Sequence, residues 1–91
     1  MRIQVTVPSM LEHATGGGRH VWVEGERLAD AIAALQKAWP LLTPLVWDER
    51  LQLRKHIMIF LNDQSIAWLD DPNPPLKEGD HLQIVQAVSG G

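Results

Sequence analysis

The chain ends on two glycines, Gly90 and Gly91, directly after a segment typical of a buried strand. Glycine has no side chain to pack and loses more backbone entropy on ordering than any other residue, so the fold gains nothing from this ending. The two glycines could instead serve chemistry at the terminus. Because they have no Cβ atoms, they could pass through a narrow channel and present an unhindered carboxylate. An ATP-using enzyme could adenylate that carboxylate, and a sulfur or amine nucleophile could then take the acyl group. Gly91 is therefore the candidate reactive site, and Gly90 the residue that gives access to it.

The other polar residues do not show the spacing of a catalytic, metal-binding or phosphate-binding site. The four histidines, at positions 13, 20, 56 and 81, show no spacing typical of a metal site. The carboxylate pairs Asp48-Glu49 and Asp70-Asp71 are adjacent in sequence, and neighbouring side chains tend to point apart. The segment TGGGR at 15–19 lacks the pattern of a phosphate-binding loop. With no cysteine there is no thiol nucleophile, disulfide or Cys-ligated metal. The sequence predicts a protein that is not an enzyme and binds no metal or cofactor.

Length and charge limit the partners. The 91 residues suit one domain. A net charge of −3 argues against nucleic acid, whose phosphates need a basic surface. No run approaches about 18 apolar residues, so no membrane span is expected. The opening MRIQVTVP alternates and lacks the apolar core of a signal peptide, so we expect a cytoplasmic location.

The elements that must position the tail follow from hydrophobic periodicity. Segments of period 2 or continuous apolar character predict strands. One segment instead carries Leu28, Ile32 and Leu35 on a single helical stripe, and Pro40 ends it. No Ser, Thr, Asp or Asn occupies the expected N-cap, so the helix start is imprecise. The predicted strands are 2–7, 20–24, 56–62, a short edge strand at 65–69, and 81–88; the helix is 27–39; the connections are a long turn at 9–18, an irregular segment with a turn of helix at 40–54, and a proline-rich loop at 70–80.

A single helix covers only one face of a sheet, so the other face must stay open. The element order therefore predicts an α+β fold of the ubiquitin-like β-grasp type, with a mixed sheet of four to five strands packed on one main helix. The first and last strands are expected to be parallel neighbours at the centre. We expect the β-grasp domain to span 1–87 and a flexible tail to span 88–91.

The open face of the sheet is expected to carry apolar side chains. If Ile57, Ile59 and Leu61 face the helix, the residues between them face outward. A contiguous apolar patch usually marks a partner site; the alternative is that 40–54 folds over it. The predicted partner-binding residues are Trp22 at the rim, Met58, Phe60, Val85, Ala87, Val88 and Ser89.

Short motifs occur along the whole chain in an order specific to one family. The first half contains VPSMLEHATGG and VEGERLADAIAAL, and Leu53-Arg54 precedes the apolar strand that Asn62 ends. Pro75-Leu76, Gly79-Asp80 and a closing IVQAVSGG at 84–91 complete the order. In this order the motifs resemble the MoaD/ThiS sulfur-carrier family. The chain departs from the family pattern at Met58, where Asn is common, at Gln86, where Pro is frequent, and at the helix cap after Gly25, which is not Thr.

The resemblance implies that a ubiquitin-activating-like enzyme adenylates Gly91 and that the product becomes a thiocarboxylate. ATP and a sulfur source would be used by that enzyme, and the carrier itself would bind no cofactor. The sulfur would pass to an acceptor enzyme such as a molybdopterin-synthase large subunit or a cysteine synthase. The length and the TGG turn favour the molybdopterin or cysteine-pathway type, and the residues do not separate these two. The alternatives are a ubiquitin-like modifier that joins lysines through Gly91, and an interaction domain with an idle tail.

Overall fold

The computed structural model describes residues 1–87. The predicted tail, with the assignments made to Val88, Ser89, Gly90 and Gly91, lies outside the described residues. The elements in chain order are β1 (Arg2–Thr6), a first 3-10 helix (Ser9–Thr15), β2 (His20–Glu24), α1 (Leu28–Ala38), α2 (Thr43–Val46), β3 (Ile57–Leu61), β4 (Gln64–Ser65), a second 3-10 helix (Ile66–Trp68) and β5 (His81–Gln86).

The sheet confirms the predicted β-grasp. Its strand order is β2-β1-β5-β3-β4, so the first and last strands are neighbours and β5 occupies the middle. β1 and β5 run parallel, whereas β1 pairs with β2, and β3 with β4 and β5, in antiparallel fashion. The fold is therefore α+β with a mixed five-stranded sheet, within the four to five strands expected from the sequence.

The helix α1 covers one face of this sheet through a buried stripe of Leu28, Ala31 and Leu35. These side chains join the inward-facing residues of the strands in one hydrophobic core. The helix begins and ends one residue inside the predicted 27–39. Arg27 is extended and forms the N-cap, and Trp39 before Pro40 leaves helical geometry.

The start of α1 is capped by a distant loop. The backbone N–H of Leu28 donates to the carbonyl of Pro74 at 3.0 Å, and that of Ala29 donates to Asn73 Oδ1 at 2.8 Å. Within the helix, Asp30 Oδ2 accepts from the N–H of Arg27 at 3.1 Å. These contacts satisfy N–H groups that the first turn of a helix leaves without intrahelical partners. The proline-rich loop therefore defines a helix start that the local sequence left imprecise.

Two predicted segments differ in the structure. The long turn expected at 9–18 contains a 3-10 helix, Ser9–Thr15, and the chain reverses after it at Gly16 and Gly17, whose φ values are 70° and 94°. The edge strand expected at 65–69 is confined to Gln64–Ser65. The Ser65 hydroxyl accepts from the N–H of Ala67 at 3.3 Å, and this cap turns the chain into a 3-10 helix instead.

The connection at 40–54 packs on the helix side of the sheet. Leu42, Val46 and Trp47 are buried and belong to the same core as Ile57 and Ile59. The alternative that this segment folds over the open face is therefore wrong, and the face opposite α1 is left uncovered by it.

Candidate functional site

The open face of β3 and β5 carries an apolar patch. Met58 lies directly opposite Val85, and Phe60 lies one pair further along, opposite Gln83. Met58 is 41% exposed, Phe60 and Val85 are half-buried, and Ala87 is exposed just beyond the end of β5. We call Met58, Phe60, Val85 and Ala87 the docking patch. The structure therefore brings together four of the five outward-facing residues that the sequence predicts.

Trp22 lies apart from the docking patch. It is on edge strand β2, paired with Gln4 of β1, and Gln4 is in turn paired with His81 of β5. The strands β1 and β5 therefore separate Trp22 from β3, and at the level of Trp22 they carry the polar residues Gln4 and His81. The indole is 50% exposed, and the guanidinium of Arg2 lies 4.5 Å from the centre of its ring, a cation–π contact. Alternation predicts the outward direction of Trp22 correctly, but its distance from the patch depends on the strand order.

A polar bridge crosses the strands between Trp22 and the patch. The Thr6 hydroxyl lies 3.1 Å from His20 Nδ1 and 2.7 Å from His81 Nε2, joining β1 to both of its neighbours. A hydroxyl has one proton and two lone pairs, so Thr6 donates to at most one of the two imidazoles and accepts from at least one. Over residues 1–87, no three His, Cys, Asp or Glu side chains are grouped to hold a metal ion.

The beginning of β5 is fixed by Asn62 and Asp80. Asn62 Nδ2 donates to Asp80 Oδ1 at 3.0 Å, and Asn62 Oδ1 accepts from the His81 N–H at 3.0 Å. Asp80 Oδ2 also accepts from the Lys77 N–H at 2.7 Å. Asn62 has φ 57° and Gly79 has φ 88°, conformations that Asn tolerates and Gly adopts freely. Asn62 and the Gly79-Asp80 motif therefore fix the start of β5 relative to the end of β3.

The far end of β5 is also held in place. The N–H of Ala87 donates to the His56 carbonyl at 2.8 Å. His56 lies in a turn closed by a 3.0 Å hydrogen bond from the Ile57 N–H to the Arg54 carbonyl. Arg54 anchors this turn to the segment around α2, because its Nε donates to the Pro44 carbonyl at 2.6 Å. The strand that leads toward Gly91 is thus bound to the sheet up to residue 87.

One side-chain atom near this end lacks a partner. Gln86 Oε1 is buried, and no described residue donates a hydrogen bond to it. An unsatisfied buried acceptor costs about 1–3 kcal/mol. The cost falls at the position where the family pattern has proline, a residue that carries no such acceptor.

Comparison with known proteins places these features in a family context. The model of the ThiS family matches residues 5–91. The sulfur carrier protein CysO of Mycobacterium tuberculosis is 26% identical over 93 residues, with 100% of both chains covered. The BexX/CysO complex of Amycolatopsis orientalis contains a chain of 26% identity and TM-score 0.82, with 98% of this chain and 99% of that chain covered. Small archaeal modifier protein 1 of Methanosarcina acetivorans is 27% identical with TM-score 0.78, covering 99% and 96% of the two chains.

Proposed function

The chain belongs to the ThiS family, and we propose that it is a sulfur carrier whose Gly91 carboxylate is converted to a thiocarboxylate. The observation that carries the proposal is the end-to-end match, at 26% identity, to a protein named as a sulfur carrier. The family match runs through residue 91, so it includes the diglycine. The proposal also accounts for a chain without cysteine, since the sulfur is held on the backbone terminus.

The proposed chemistry has two steps, both catalysed by a ubiquitin-activating-like enzyme. The Gly91 carboxylate attacks the α-phosphorus of ATP, and pyrophosphate leaves, which forms an acyl adenylate. A sulfide donor then attacks the acyl carbon and AMP leaves, so that sulfur replaces one oxygen. The carrier contributes no catalytic group to either step. It is recognised as a folded body and delivers its terminus.

The described structure supports this role through the placement of β5. Hydrogen bonds at both ends hold β5 between β1 and β3, and the docking patch lies on the same strand and its neighbour. A partner bound to the patch is therefore at a defined distance from residue 87. Residues 88–91 can span at most about 13 Å beyond that point. Binding at the patch therefore raises the effective concentration of the terminal carboxylate at the reaction site.

We further propose that the thiocarboxylate is consumed by an acceptor enzyme of the cysteine-synthase or molybdopterin-synthase type. A CysO of 26% identity that is bound to BexX supports a separate protein partner. The uncovered docking patch provides a surface on which the activating enzyme and the acceptor would bind in turn.

A second candidate function is conjugation of Gly91 to lysines of other proteins. The observation that favours it is the likeness, at 27% identity and TM-score 0.78, to a protein named as a modifier. The same adenylate would serve both functions, because an amine can replace sulfide as the nucleophile. The two functions differ in product and not in the fold that they require.

The test is to incubate the chain with the ubiquitin-activating-like enzyme of its source organism, ATP and sulfide, and to measure intact mass. Sulfur carriage predicts the mass increase that accompanies replacement of one oxygen by one sulfur, and none in a variant that lacks Gly91. The variant should unfold at the same temperature as the parent. Products joined to lysines, with no thiocarboxylate, would favour the modifier instead. An unchanged mass and no conjugates would refute both functions.

A further inference from the structure

Strand β2 forms one edge of the sheet, and its outer side pairs with no strand among residues 1–87. The strand order is β2-β1-β5-β3-β4, so β2 pairs with β1 alone. It contains neither lysine nor proline, and its register with β1 runs through five residues without a bulge. Lysine, proline and bulges are among the usual means by which an edge strand avoids pairing with another chain. The edge at β2 is therefore open to a further strand.

The hydrogen bonds to β1 show which backbone groups of β2 face the open edge. The N–H of Val7 donates to the Arg19 carbonyl at 2.7 Å, and the N–H of Gly25 donates to the Met1 carbonyl at 2.9 Å. Residue pairs in an antiparallel ladder alternate between hydrogen-bonded and non-hydrogen-bonded. Counting in twos from Arg19 to Gly25, the residues that direct their N–H and C=O groups away from β1 are therefore His20, Trp22 and Glu24.

The sequence of β2 is complementary to itself when it is read in the opposite direction. His-Val-Trp-Val-Glu has Trp22 at its centre, a valine on each side of it, an imidazole at one end and a carboxylate at the other. In an antiparallel pair of two β2 strands centred on Trp22, His20 of each copy lies opposite Glu24 of the other. His20 Nδ1 is in contact with the Thr6 hydroxyl, which leaves Nε2 to donate to that carboxylate.

We propose that β2 is a self-association surface, on which a second copy of this chain adds its own β2 in antiparallel fashion about a twofold axis at Trp22. The three outward-facing residues form three hydrogen-bonded pairs with the second copy, and each such pair exchanges two main-chain hydrogen bonds. The two five-stranded sheets then become one continuous sheet. A twofold interface needs a surface that is complementary to itself, and the order of residues in β2 provides one.

The exposed side chains of β2 favour a second copy over an unrelated strand. Trp22 is 50% exposed, and His20 and Glu24 are exposed on the same face of the sheet. The Arg2 guanidinium covers one face of the indole, 4.5 Å from the ring centre, so the other face is available to the indole of the second copy. Opposite charges and aromatic residues placed directly across a strand pair both stabilise it.

The association is expected to be weak and reversible. An edge of five residues gives an interface at the small end of the known range, below about 1,200 Å² in total. We therefore expect a dissociation constant on the order of 10⁻⁴ M. The docking patch stays uncovered in the dimer, because β1 and β5 lie between β2 and β3. The inference therefore does not depend on the proposed function, and one dimer would present two docking patches.

The first test is amide hydrogen exchange at protein concentrations tenfold below and tenfold above the expected dissociation constant. Between these concentrations the monomer fraction falls from about 85% to about 20%, so exchange at the outward-facing amides of Trp22 and Glu24 should slow about fourfold. The amides of Val21 and Val23 are an internal control, because they face β1 and should be protected at both concentrations. Sedimentation over the same range should show the average mass rise toward that of a dimer.

The second test uses charge variants of β2 to determine who the partner is. His20→Glu places a carboxylate opposite Glu24 twice in the dimer, and the double variant His20→Lys with Glu24→Lys places ammonium groups opposite each other twice. We expect each variant to raise the dissociation constant about tenfold or more. A 1:1 mixture of the two should associate as the parent does, because every pair across the axis then has opposite charges. His13→Glu is the matched control, since His13 is exposed outside the sheet and should leave the constant within about twofold of the parent.

Thermal unfolding shows whether each variant is folded, and His20→Glu against His13→Glu carries the comparison if the double variant is not. A parent chain that stays monomeric at the higher concentration would overturn the inference. So would self-association that His20→Glu leaves unchanged, or a mixture of the two charge variants that remains monomeric. Association that is lost in Phe60→Ala and kept in the β2 variants would place the contact on the docking patch instead and would also overturn it.

Discussion

Phe60→Ala distinguishes a docking residue from a core residue on the same strand. Phe60 is half-buried on the open face, whereas the adjacent Ile59 is 1% exposed and belongs to the hydrophobic core. Truncation of a buried isoleucine to alanine costs about 2–5 kcal/mol of stability. We expect Ile59→Ala to lower the free energy of unfolding by this amount. Phe60→Ala should lower it by about 1 kcal/mol at most, because no core cavity is created.

The expected effect of Phe60→Ala on binding is larger than its effect on stability. Aromatic residues at the centre of an interface cost about 2 kcal/mol or more when truncated, which corresponds to roughly 30-fold in affinity. Urea unfolding measures the stability of both variants, and titration calorimetry with the adenylating enzyme measures affinity. If Phe60→Ala unfolds the domain while its folded fraction binds the enzyme normally, the assignment of the docking patch is wrong.

Two further predictions concern stability alone. Asn73→Ala removes the side-chain acceptor of the Ala29 N–H, and we expect a loss of about 1 kcal/mol in urea unfolding, as for other helix N-caps; an unchanged midpoint would show that water replaces the amide without cost. Gln86→Leu removes the unpartnered Oε1, and we expect a gain of about 1 kcal/mol, with no change in adenylation; a loss of stability would show that the amide makes a stabilising contact beyond the described residues.

The arrangement of the sheet was largely predictable because its signals are local and repeated. Val21 and Val23 alternate with outward residues in β2, and Ile57 and Ile59 do the same in β3. A two-residue period places such side chains on one face whatever the rest of the chain does. The outward direction of Met58 followed from the same rule. From Leu28 the apolar residues recur with a helical period, which predicts the single helix. Because one helix covers only one face of a sheet, the open face was predicted from the same observation.

The features that were missed depend on contacts between distant segments. Asn73 caps α1 although 44 positions separate it from Ala29, the residue whose N–H it accepts. No window around the helix contains that information. The distance of Trp22 from the docking patch likewise requires the order β2-β1-β5-β3, which interposes Gln4 and His81. The 3-10 helix Ser9–Thr15 has no sustained apolar period, so a segment ending in three glycines favoured a turn.

The motifs shared with the family are explained by the position of β5. Asn62 and Asp80 fix where the strand begins, and Arg54 holds the turn whose carbonyl at His56 fixes Ala87 at its end. None of these residues belongs to the hydrophobic core. A strand held at both ends has one register, and a register shift of a single residue would turn Val85 from the docking patch into the core. The same shift would move the start of the tail by about 3.4 Å relative to a docked partner. Such a displacement is large for a reaction that requires the reacting atoms to lie about 3–3.5 Å apart. The polar residues around β5 therefore serve the proposed function by determining the position of residue 87, from which the tail continues.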